Sequence, residues 1–115
     1  MTAKNSKQGG VIVRMGDNDV RLALTLGALA EIEEGLKIEN LEELNTRFDN
    51  PKIKDLIVVV TALVVGGNSE LSMEEARKIV MSWEAAPSVI LDKIMEVFKS
   101  SSMVEGEDEG NETDK

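Results

Sequence analysis

The first regular pattern along the chain has a period of two. Val11, Val13 and Met15 alternate with Ile12 and Arg14, and Val20, Leu22 and Leu24 alternate with Arg21 and Ala23. Between them lie four turn-forming residues, Gly16, Asp17, Asn18 and Asp19. Successive strand side chains point to opposite faces, so this pattern predicts a β-hairpin with Val20, Leu22 and Leu24 inward and Arg21 outward. A lone hairpin is marginal in water and needs helices to lie on.

From Thr25 the period becomes helical. Leu26, Leu29, Ala30, Ile32 and Leu36 predict an apolar face, with Thr25 as N-cap and Gly35 near the end. Asn40 can cap a short helix holding Leu41, Leu44 and Phe48, with Glu43 in capping-box position. Asp49, Asn50 and Pro51 then mark a new start, with the proline suited to a first helical turn. Residues 51–65 are rich in β-branched side chains, which favours a strand on propensity alone. Their length and the terminator Gly66-Gly67-Asn68 favour instead a central helix buried on most sides.

Ser72 and Glu75 form a capping box, with Leu71 placed to staple onto Ala76. Ala76, Ile79, Val80 and Trp83 make the stripe of that helix. A last helix starts near Pro87 or Ser88 and turns Ile90, Leu91, Ile94, Val97 and Phe98 inward. The predicted class is α+β: a hairpin packed on a bundle of four to five helices. One domain over residues 11–100 is expected, after a flexible lead at 1–10.

Charge sharpens the picture at the C-terminus. Of a formal net charge of −9 over 115 residues, −5 lies in residues 101–115, where six carboxylates face Lys115 alone. Such a segment buries too little to offset its ordering entropy and is expected to be disordered. An acidic arm that docks on a basic partner is the functional alternative. The acidic balance speaks against a nucleic-acid partner. The longest apolar stretch, residues 56–65, is too short for a membrane span, and the N-terminus has no apolar leader pattern, so a cytoplasmic protein is expected.

Histidine and cysteine are both absent. That removes thiol catalysis, disulfides, Ser-His-Asp chemistry and zinc sites built on Cys or His. Asp17, Asn18 and Asp19 start like a calcium loop, but the twelfth position is Ala28, where a bidentate glutamate is needed. Gly9-Gly10 and Gly66-Gly67 fit no phosphate-binding pattern. The pairs Glu33/Glu34, Glu42/Glu43 and Glu74/Glu75 fall on solvated helix faces, where carboxylates serve helix starts rather than acid–base work. No Asp-Ser pair of a carrier domain occurs. No catalytic residue, cofactor or metal is therefore expected.

Binding remains as the candidate activity. Met73, Met81, Met95 and Met103 lie in the C-terminal half together with Trp83. Methionine adapts to varied apolar partners and tryptophan is enriched at binding hot spots. Met73, Met81, Trp83 and Met95 are accordingly the candidate partner-binding residues; the competing reading is that Trp83 and Met95 fill the core.

The run Val20-Arg21-Leu22-Ala23-Leu24-Thr25-Leu26-Gly27-Ala28-Leu29-Ala30-Glu31-Ile32-Glu33 resembles the opening of small tail assembly chaperones of tailed phages, prophages and gene transfer agents. That family shows a hairpin ending in R-L-x-L-T-x-G-A-L-A-x-L-E, here with Ile32 in place of the usual Leu. Residues 37–100 match it in layout only. The resemblance implies a non-enzymatic role: holding the tape-measure protein, or another tail protein, until tube subunits polymerise around it. Self-association is a further expectation. A minor tail protein or head–tail connector is the structural alternative, and a small enzyme or regulator unrelated to phages is the third.

Overall fold

The computed structural model describes residues 10–40 and 42–101. Two strands, β1 (Val11–Met15) and β2 (Asn18–Leu22), precede five helices. These are α1 (Leu26–Leu36), α2 (Glu42–Asp49), α3 (Ile53–Gly67), α4 (Met73–Met81) and α5 (Pro87–Ser100). The α+β class and the hairpin-on-helices arrangement are as the periodicity predicts. The expected flexible lead and acidic tail fall outside the described residues, apart from Gly10 and Ser101. At that boundary the Gly10 N–H donates to Ser100 Oγ at 3.2 Å, and Ser101 is buried.

The strands pair antiparallel, with Val11 opposite Leu22 and Val13 opposite Val20. Val13, Met15, Val20 and Leu22 point into the core, and Ile12 and Arg14 point out. The turn is shorter than the four residues expected. Gly16 and Asp17 alone form the loop, while Asn18 and Asp19 join β2. Gly16 has φ 61° and Asp17 does not share a positive φ, the pattern a type II′ hairpin turn requires. Asp19 then pairs with Arg14 across the strands at 3.2 Å.

Helix α3 is the axis of the domain. It packs against α1, α4, α5 and β2, and seven consecutive or near-consecutive side chains, Leu56 and Val59 to Val64, are buried. Burial on nearly every side overrides the strand propensity of its valines, because each enclosed Val or Leu contributes roughly 1.5–3 kcal/mol. The helix starts later than expected: Lys52 is its N-cap, so Pro51 precedes the helix instead of opening it. Its end differs too. Gly66 and Gly67 belong to the last turn, and Asn68 follows as cap. The Asn68 Nδ2 group donates to the Arg21 and Val64 carbonyls, both at 2.8 Å, and the Ala23 N–H donates to the Leu63 carbonyl at 3.0 Å. Strand β2 is thus bonded directly to the helix end.

The caps follow local chemistry closely. Thr25 accepts from the Ala28 N–H at 3.1 Å. Ser72 and Glu75 make both arms of the capping box, at 3.1 and 2.9 Å. Asn40 accepts from the Glu43 N–H at 3.2 Å, but the Glu43 carboxylate reaches the Glu39 N–H, one residue before the expected partner. One expectation for α1 is corrected. Leu26 and Ala30 face solvent, and the buried positions are Ala28, Ile32 and Leu36, spaced by four. Gly35 lies near the helix end as expected, and Lys37 takes the left-handed closing position at φ 59°. Gly35 also serves packing, since a Cβ there would lie 2.6 Å from Val58 Cγ1.

Among the described residues, Thr61 Oγ1 is buried without a hydrogen-bond partner. An unsatisfied buried hydroxyl costs about 1–3 kcal/mol. Thr61→Val, which keeps the branched shape, is expected to raise unfolding free energy by about 1 kcal/mol in urea denaturation.

Candidate functional site

The end of α4 and the start of α5 form a wall over the first two turns of α3. Helix α4 stops because the Ser82 hydroxyl donates to the Ile79 carbonyl at 2.6 Å and the Trp83 N–H takes the Val80 carbonyl at 2.9 Å. The chain then runs through Ala85 and Ala86 to Pro87, which opens α5 at a position where its missing N–H has no intrahelical use. Beneath this crossing lies a cavity of about 210 Å³. Its floor is Ile53, Leu56, Ile57 and Val60 of α3, and its walls are Val80, Met81, Trp83, Ala85, Pro87 and Ile90. Every lining residue is apolar.

The rim is open to solvent. Met81 is 58% exposed and Ile53 50% exposed, while Trp83 is half-buried against the core. Trp83 thus packs partly against the core and partly lines the groove. With no carboxylate or cation in the lining, the groove's chemistry is that of an acceptor for apolar side chains.

The four candidate residues do not form one site. Met81 and Trp83 meet in this groove. Met73 lies in a separate depression between α1 and α4, beside Val58, Thr61, Glu31, Glu34 and Arg77. Met95 is exposed on α5 and lines neither. Ile53, Ile57, Pro87 and Ile90 complete the groove and were not anticipated. Ile53 and Ile57, four apart at the start of α3, read in the sequence as part of a helix buried on most sides, which gave no signal of an open groove.

In two of the acidic pairs one member serves a helix start, Glu75 and Glu43. Among the described residues, no three His, Cys, Asp or Glu side chains cluster as metal ligands. No helix among them is long and apolar enough to cross a membrane.

The family model described as "Phage tail tube protein, GTA-gp10" matches residues 8–98, which spans the hairpin, the groove and the helices up to the last two residues of α5. The chain belongs to this family. The GTA-gp10 match agrees with the tail-protein resemblance carried by residues 20–33 and extends it across residues for which the sequence offered layout alone. No curated protein and no solved structure matches. A phage or gene transfer agent tail component is the level of function the family gives.

Proposed function

We propose that this member of the GTA-gp10 family is a tail assembly chaperone of the host cytoplasm, a non-enzymatic protein that holds an amphipathic helical segment of the tape-measure protein. The observation that carries the reading is the wholly apolar groove with Met81 and Ile53 exposed at its rim. A helix laid in such a groove inserts side chains at i, i+3 or i+4 and i+7. Methionine and tryptophan at the rim accommodate several sequences in turn, which suits a long partner. The charge of −9 keeps the coated complex apart from its neighbours. A structural role in the tail is the second reading, favoured by the family's description as a tube protein.

Trp83 is the only tryptophan in the chain and reports on the groove. Amphipathic segments of the tape-measure protein titrated into the chain are expected to shift its emission to the blue as water leaves the ring. Met81→Lys should leave stability within about 0.5 kcal/mol, because the side chain is exposed and a cation suits a helix C-terminus. The same change should weaken segment binding roughly tenfold, as for a rim residue of a hot spot. Unaltered affinity in that variant would remove the groove from the binding account.

A further inference from the structure

A second cleft, of about 430 Å³, opens where the ends of α1 and α2 meet the start of α3. Lys37, Arg47, Lys52 and Lys54 line it, with Asp55 as its single carboxylate. Asp55 lies 3.6 Å from Arg47, whose guanidinium also donates to the Leu36 carbonyl at 2.7 Å. Among the described residues, no hydrogen bond or ion pair engages the ammonium groups of Lys37, Lys52 and Lys54.

Each of these lysines stands where local physics prefers another residue. The Lys37 N–H donates to the Glu34 carbonyl and the Ile38 N–H to the Glu33 carbonyl, a Schellman closure whose left-handed position is usually glycine. Lys52 is the N-cap of α3 and makes no side-chain cap bond, where Ser, Thr, Asn or Asp would satisfy an N–H. Lys54 sits in the first turn of α3, beside the positive end of the helix dipole. Helix stability explains none of the three. Their convergence on one cleft, in a chain of charge −9, points to an anionic occupant.

We propose that the cleft holds the chain's own acidic C-terminal segment, residues 105–114. Fourteen residues follow Ser101, with Glu105, Glu107, Asp108, Glu109, Glu112 and Asp114 against Lys115. They leave from a suitable place. Phe98, three residues before Ser101, meets Phe48 edge to face with ring centroids 6.4 Å apart, and Phe48 adjoins Arg47 of the cleft. Glu105 stands four residues and Asp114 thirteen residues beyond Ser101, reaches of up to about 14 Å and about 45 Å when extended. Attraction between opposite net charges asks for no regular structure in the segment. Once docked, it sets its carboxylates against the cations of the cleft. This inference is independent of the Trp83 groove and of the chaperone reading.

The full chain carrying Asn111→Cys with a nitroxide label tests it by paramagnetic broadening of backbone amides. Broadening should concentrate on residues 35–37 and 46–55 and disappear at about 1 M salt, where screening acts within about 3 Å. The triple change Lys37→Gly, Lys52→Asp and Lys54→Glu replaces each lysine with the residue its position prefers. That variant should lose the broadening while melting no lower than the parent. Broadening spread evenly over the surface, or retained in the triple variant, would overturn the proposal. So would broadening seen only when labelled and isotope-enriched copies are mixed, which would assign the segment to a second copy.

Discussion

Val60→Asp is expected to abolish the folded state, read as loss of the cooperative urea transition and of helical circular dichroism. Val60 has no solvent exposure and lies mid-way along α3, the helix against which α1, α4, α5 and β2 all pack. The residues lining the groove with it are apolar, Leu56 and Val80 among them. An unpaired carboxylate there is either desolvated, at a cost of many kcal/mol, or draws water into the core. Domains of this size are stable by only about 5–15 kcal/mol, so the substitution removes most or all of the margin. A Val60→Ala control should lose about 2 kcal/mol and stay folded. If Val60→Asp unfolds with the parent's cooperativity and midpoint, α3 is not the axis of the core.

The second large effect is expected at Gly66. A Cβ built on Gly66 runs into the Ala23 carbonyl oxygen, and also meets Ala28 Cβ at 3.1 Å and Thr25 Oγ1 at 3.2 Å. The first obstacle is backbone and cannot swing aside. It belongs to the segment whose Ala23 N–H bonds the Leu63 carbonyl, so moving it also strains the joint between β2 and α3. Two effects compete in Gly66→Ala. Helix propensity favours alanine by about 1 kcal/mol, while overpacking against fixed neighbours costs typically 1–3 kcal/mol and occasionally more. With backbone as the neighbour the upper end applies, and a net loss of about 2 kcal/mol is expected by chemical denaturation. Gly27→Ala is the matched control, because a Cβ there meets only Thr25 Oγ1, at 3.9 Å, and should be neutral or mildly stabilising. Equal behaviour of the two variants would mean that β2 does not press on the end of α3.

The glycines at the end of α3 show where sequence reading reaches its limit. Features closed by a few consecutive residues were legible: the inward face of the hairpin, the Thr25 cap and the Ser72–Glu75 box each depend on chemistry within about five positions. Gly66 and Gly67 also look local, as a helix terminator, but their use is set by the Ala23 and Arg21 backbone, more than forty residues earlier. Gly35 likewise marks a helix crossing with Val58 as well as a helix end. The candidate site follows the same division. Methionine and tryptophan enrichment pointed to the C-terminal half. That Met81 and Trp83 converge while Met73 and Met95 diverge depends on how α4 and α5 cross α3, which no spacing within either helix encodes. The basic cleft was hidden for a related reason: Lys37, Arg47, Lys52 and Lys54 come from three elements and are dispersed in a strongly acidic sequence.

The chaperone and structural readings place the same apolar groove in different company at the end of assembly. Quantitative mass spectrometry of purified tailed particles, beside the cell extract in which they assemble, separates them. The chaperone account predicts the chain bound to tape-measure protein in the extract and no copy of it in finished particles. A fixed copy number in the particles, held in proportion to the tube subunits, would contradict it and make the chain part of the tail.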